Sequence, residues 1–219
     1  MKRPRIKGSM GQILFASVLF SILLVMARII RSHSLLYASL IWNLFLAWIP
    51  YALSMVVDKK KQWFTSQLLF YAVLLLWLLF FPNAPYILTD LFHLEQKPGV
   101  PLWYDLLLIF SFAWNGLILG YLSLMKMEEA VLYRSGKLVS QLFVIAVITL
   151  GAYGVFLGRY LRWNSWDLFT NPFALIPEMA YMIRHPLHFP GVWGMTLLLS
   201  ALTGIMYLTL KKISERSRV

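Results

Sequence analysis

Residues Phe80-Phe-Pro-Asn-Ala-Pro-Tyr-Ile-Leu-Thr-Asp-Leu-Phe-His-Leu94 decide how this chain is read. They follow an apolar run long enough to cross a bilayer. Pro82 and Pro85 then break that run, and Asp90 and His93 follow within one helical turn of each other. A proline lacks the amide hydrogen that a continuing helix needs. The spacing therefore predicts a membrane exit at Pro82 and a new short helix beyond it. Asn83 is expected to cap that helix, with Pro85 tolerated in its first turn. On it Tyr86, Asp90 and His93 share one face, and Ile87, Leu91 and Leu94 another. That pattern predicts an amphipathic helix lying at the membrane interface. A polar face of this kind also arises simply because an interfacial helix must meet water.

Working outward, five further stretches resemble the run before Pro82. A bilayer core takes about 20 apolar residues as a helix. Stretches 11–30, 35–57, 64–82, 103–125, 138–158 and 191–210 qualify, each edged by charge, Pro or Gly. The chain is 60% hydrophobic and 13% charged, against about 25% charged for a soluble domain. The expected fold is all-α: a polytopic membrane protein of six transmembrane helices with short interfacial helices on the outer face. Residues 1–219 are read as one integral membrane domain. The first stretch has a basic start, like a signal peptide, but its long apolar run and the five that follow favour an uncleaved span.

Charge divides by side. Fourteen of the 20 Lys and Arg residues fall on the side of the N-terminus and six on the other. The positive-inside rule then places both termini in the cytoplasm. Nine of the fourteen are Lys, whereas five of the six (Arg28, Arg31, Arg159, Arg162 and Arg184, with Lys97 the sixth) are Arg. Arginine grips carboxylate or phosphate through a planar fork, which a lysine lacks. All four histidines and Asp90, Glu95, Asp105, Asp167 and Glu178 share that outer side. The net charge of +11 suits anionic lipid. No soluble stretch is available to read nucleic acid. With no cysteine present, disulfides and thiolate metal sites are excluded.

The chemistry-bearing candidates follow from this. Asp90, His93 and Asp105 are acid–base or metal-ligand candidates. Asp105 would equally serve the helix dipole from the first turn of its span. Asn83, Tyr86, Arg159, Arg162, Asn164 and Asp167 are candidate substrate-binding residues, with the two arginines holding an anionic or lipid-linked ligand. Arginines at a helix end also complement its dipole and snorkel. Asp167 could hold them in place. His185 and His188 have a ligand-like spacing, weakened by Pro186, so the sequence names no metal and no cofactor. Gly116 with Gly120, and Gly154 with Gly158, form GxxxG pairs that predict close packing, within the chain or against a membrane partner. Predicted span interiors carry no Asp, Glu, Lys or Arg, which disfavours ion-coupled transport, although Asn43, Pro50 and Asn115 could line a path.

The strings Phe81-Pro-Asn-Ala-Pro-Tyr-Ile-Leu-Thr-Asp-Leu-Phe-His93, Trp103-Tyr-Asp105, Phe112-Ala-Trp-Asn-Gly116 and Gly158-Arg-Tyr-Leu-Arg-Trp-Asn-Ser-Trp-Asp167 resemble the bacterial membrane family catalogued as domain of unknown function 1361. The resemblance runs from the second span to the sixth. It implies a multi-pass protein of the bacterial cell membrane and no particular activity. Three functions stand open on the residues: an outer-face enzyme acting on a lipid-linked or phosphate-bearing substrate, a non-catalytic assembly factor or complex subunit, and a small transporter.

Overall fold

Helix dominates the computed structural model, which describes residues 10–59, 66–97 and 99–218. Five helical stretches are long and apolar enough to cross a membrane: Met10–Ser32, Ser39–Asp58, Gln67–His93, Leu102–Tyr160 and Pro190–Arg216. The chain is thus an all-α polytopic membrane protein. Basic residues Lys2, Arg3, Arg5, Lys7, Lys60 and Lys61, and positions 64 and 65 of the expected third span, lie outside the described residues.

The helices are α1 (Met10–Ser32), α2 (Ser39–Lys59), α3 (Gln67–Phe80), α4 (Asn83–Tyr86), α5 (Leu102–Tyr160), α6 (Asp167–Thr170), α7 (Pro172–Arg184) and α8 (Pro190–Arg218). A 3-10 segment, Ile87–His93, continues α4. The 59 residues of α5 would extend about 90 Å if straight, three times the hydrocarbon core. They do not run straight. Gly136 breaks the helix at φ 83°, ψ 176°, a conformation open mainly to glycine. Ser140 then returns to donate its hydroxyl to the Glu128 carbonyl, and Val131 and Val144 share one core cluster. So α5 is a hairpin of two arms, 102–135 and 137–160, which carry the two expected stretches 103–125 and 138–158.

The hairpin holds the stretch with which the sequence reading began. Gly116 and Gly120 on the first arm face Ala84 and Ile87; Gly151, Gly154 and Gly158 on the second face Phe81, Pro82 and Tyr86. A Cβ at Gly154 would stand 2.7 Å from Pro82, and one at Gly120 2.7 Å from Ala84. Only bare backbone lets the segment sit there. This corrects the expected interfacial helix. Most of the segment packs inward: Ala84, Pro85, Ile87, Thr89 and Asp90 are buried, and only its end, Phe92 and His93, is exposed. Nor does Asn83 cap, since Pro82 occupies the cap position and no side chain bonds there. Small residues on both sides make inward packing closer than any interfacial position would allow. The glycine pairs are occupied within the chain, which removes them as docking faces for a partner helix.

Segment 167–188, with Pro172, Pro177 and Pro186, forms short helical pieces. Among them α7 buries Leu175 and Met182 and leaves Phe173, Ile176, Tyr181 and Ile183 exposed. At the opposite end of the bundle, buried Glu128 accepts from Tyr207 at 2.5 Å and Lys211 at 2.6 Å. These bonds tie the hairpin to α8.

Candidate functional site

The histidine-bearing end of the bundle holds two arginine–aspartate pairs. In the first, Arg159 near the close of α5 meets the 86–93 segment. Its Nη2 donates to Asp90 Oδ1 at 2.6 Å, its Nε to Thr89 Oγ1 at 2.8 Å and its Nη1 to His93 Nε2 at 2.6 Å. The guanidinium also lies over the Tyr86 ring, 4.5 Å from its centroid, a cation–π arrangement. Asn43 of α2 completes the group, donating to Asp90 Oδ2 at 3.0 Å. A guanidinium has no acceptor. In this contact His93 Nε2 is therefore the acceptor, the role of the tautomer that carries its hydrogen on Nδ1. The imidazole is exposed, and among the described residues Nδ1 has no bonding partner.

The second pair is Arg28 of α1 with Asp105 of α5. The fork closes both ways, Nε to Oδ1 at 2.8 Å and Nη2 to Oδ2 at 3.1 Å. Its side chains are 2% and 1% exposed, against 11% for both Arg159 and Asp90. Arg28 further lies over Tyr37, 4.6 Å from the ring centroid. Tyr37 sends its hydroxyl to the His93 carbonyl at 3.2 Å, so one side chain links Arg28 to the backbone of the 86–93 segment. Burial holds the Tyr37 phenol above its usual pKa, which keeps it a donor at ordinary pH.

The sequence candidates thus separate. Asp90, His93, Arg159 and Tyr86 come together. Asp105 joins Arg28 instead. Asp167 does not hold the arginines: it accepts from the Asn164 backbone at 2.6 Å and side chain at 3.3 Å. It lies in the first turn of α6, where such local bonds are available. Arg162 is exposed and takes a left-handed φ of 59°. Asn83 donates to the Phe80 carbonyl at 2.9 Å and to Ser165 Oγ at 3.0 Å. Arg28, Asn43, Thr89 and Ser165 belong to these networks and were missed. Only Asn43, a lone amide in an apolar span, carried a signal for its role. His185 and His188 stack on each other with centroids 5.6 Å apart. Among the described residues no three His, Asp or Glu side chains gather as a metal site would require.

Beside the Arg159 pair runs a groove of about 710 Å³. Its wall is largely apolar and includes Leu75, Leu76 and Leu79 of α3, Leu150 and Leu157 of α5, and Phe169 of α6. Its polar end is made of Asn43, Asn83, Tyr86, Trp163, Asn164 and Ser165. Asn43 and Tyr86 therefore touch both the groove and the ion pair. The family model covers the elements that build both features. The chain belongs to the family described as Protein of unknown function (DUF1361). The match spans residues 42–209, which include Asp90, His93, Asp105, Arg159 and the whole groove but leave Arg28 outside. No curated protein and no solved structure matches the chain. The family membership therefore adds a grouping and no chemistry.

Proposed function

We propose that this protein binds a lipid or lipid-linked molecule in the bacterial cell membrane, entering the groove sideways from the outer leaflet. The groove carries this reading: it is apolar along its length and polar at one end, as an amphipathic molecule is. Burial of each chain methylene there would contribute about 0.8 kcal/mol. Loading of the purified protein with a spin-labelled phospholipid tests it. Ala72→Trp and Leu150→Trp, both lining the groove, should abolish the immobilised signal. An unchanged signal in both variants would remove the groove as the binding site.

Catalysis is the second reading, supported by His93 Nδ1 at the exposed edge of the Arg159 group. Asp90 would set the ring's surroundings through Arg159 rather than contact it. His93→Ala should then abolish turnover of a lipid-linked substrate while the spin-label signal persists. Loss of both together would point to a structural role. The orientation follows from charge, with both termini cytoplasmic. The absence of cysteine allows a direct check. Leu187→Cys should react with a membrane-impermeant maleimide in intact cells, and Tyr133→Cys, equally exposed at 92%, should not.

A further inference from the structure

We infer that the lipid taken by the groove carries an uncharged head rich in hydroxyl groups, and not a phosphate. This deepens the lipid-binding reading above and rests on it. It comes from counting the donors and acceptors left over at the groove's polar end.

Part of the donor set there is spent. Asn83 uses both amide hydrogens, on the Phe80 carbonyl and Ser165 Oγ. Ser165 gives its own hydrogen to the Leu79 carbonyl at 2.9 Å. Trp163 gives its ring hydrogen to Glu178 at 2.7 Å. Asn43 and Asn164 each donate one hydrogen to a carboxylate, of Asp90 and Asp167. These partners are all acceptors or committed hydroxyls, so they fix which way each amide points. The amide oxygens of Asn43, Asn83 and Asn164 remain as acceptors, and the Tyr86 hydroxyl and the second amide hydrogens of Asn43 and Asn164 remain as donors; among the described residues none of these has a hydrogen-bond partner. Uncharged donors and acceptors side by side match a group that both gives and takes hydrogen bonds, as a hydroxyl does.

Charge narrows the choice. An ionised phosphate offers oxygen only: it could take the three free hydrogens but would leave its charge facing three amide oxygens. No Arg or Lys lines the groove to offset that; Arg159, beside the lining residue Tyr86, is engaged by Thr89, Asp90 and His93. An ammonium head would supply donors but find no carboxylate in the lining. Sugar-like hydroxyls supply donors without charge, and their oxygens can accept the spare hydrogens of Asn43 and Asn164. Against the notion that Arg159 and Arg162 grip an anion, the geometry points to a glycosylated or polyol head.

The test uses the full chain in nanodiscs with two photoreactive lipids. One is a glucosyl diacylglycerol and the other phosphatidic acid, with identical diazirine-bearing chains. Cross-links are mapped by peptide mass. The glucosyl lipid should label residues 72–79 and 150–157 about fivefold more strongly, the effect of one net hydrogen bond. Asn164→Lys, at an exposed position, replaces an acceptor by a cationic donor and should reverse the preference. Equal labelling by both lipids, or stronger labelling by phosphatidic acid, would overturn the head assignment and leave the groove reading intact. Labelling of the groove by neither lipid would overturn the groove reading, and the assignment with it.

Discussion

Arg28–Asp105 and Arg159–Asp90 are the same chemical pair placed in different surroundings. The first is sealed, with both side chains almost fully covered and the fork closed on both carboxylate oxygens. The second is open: the Arg159 fork reaches only one Asp90 oxygen, and its other bonds go to Thr89 and an exposed His93. A sealed pair fixes helices to each other. An open pair leaves groups at an edge where a ligand can arrive. The two stand on either side of Tyr37, so the sealed pair steadies the backbone that carries the open one.

Mutation should separate them. Asp105→Ala strands a buried guanidinium, and should lower the stability of the detergent-solubilised protein by about 3–5 kcal/mol. Thermal unfolding followed by tryptophan fluorescence would show it. A loss no greater than that of Asp90→Ala would end the distinction between sealed and open. Next in size is Gly154→Val, whose side chain meets Pro82 and should cost about 1–3 kcal/mol. Gly191→Val, in open space, is the control. Arg159→Lys should cost about 1–2 kcal/mol, because an ammonium cannot keep the three directed bonds. Lipid immobilisation should weaken in the same variant. Last, His93→Gln at the exposed edge should change stability by less than about 0.5 kcal/mol. A large loss there would make His93 a brace and sink the catalytic reading.

The membrane class and the apolar stretches were legible because a bilayer demands about 20 apolar residues whatever the neighbours are. Asp90, His93 and Arg159 were legible as a group because titratable residues beside an apolar run are costly and stand out. The burial of 83–93 was not. Local pattern shows two faces on that segment, and nothing local shows that glycines from two distant arms of α5 will close on it. The reversal at Gly136 was legible, because stretches 103–125 and 138–158 leave a basic connection between them; that the connection stays helical up to a single glycine was not. Asp105 was grouped with Asp90 and His93 because nothing local marks Arg28, on another helix, as its partner. Only the crossing of α1 and α5 brings it beneath the surface.

The glycine clamp around residues 81–87 has a consequence for biosynthesis. Its near jaw, Gly116 and Gly120, and its far jaw, Gly151 to Gly158, both leave the ribosome after the segment they hold. The Pro82–Ile87 stretch must therefore wait in the membrane, its prolines without partners, until the fifth apolar stretch is inserted. A chain arrested before Gly151 would carry that stretch open to lipid on one side, which makes it the natural point for quality-control proteases to intervene.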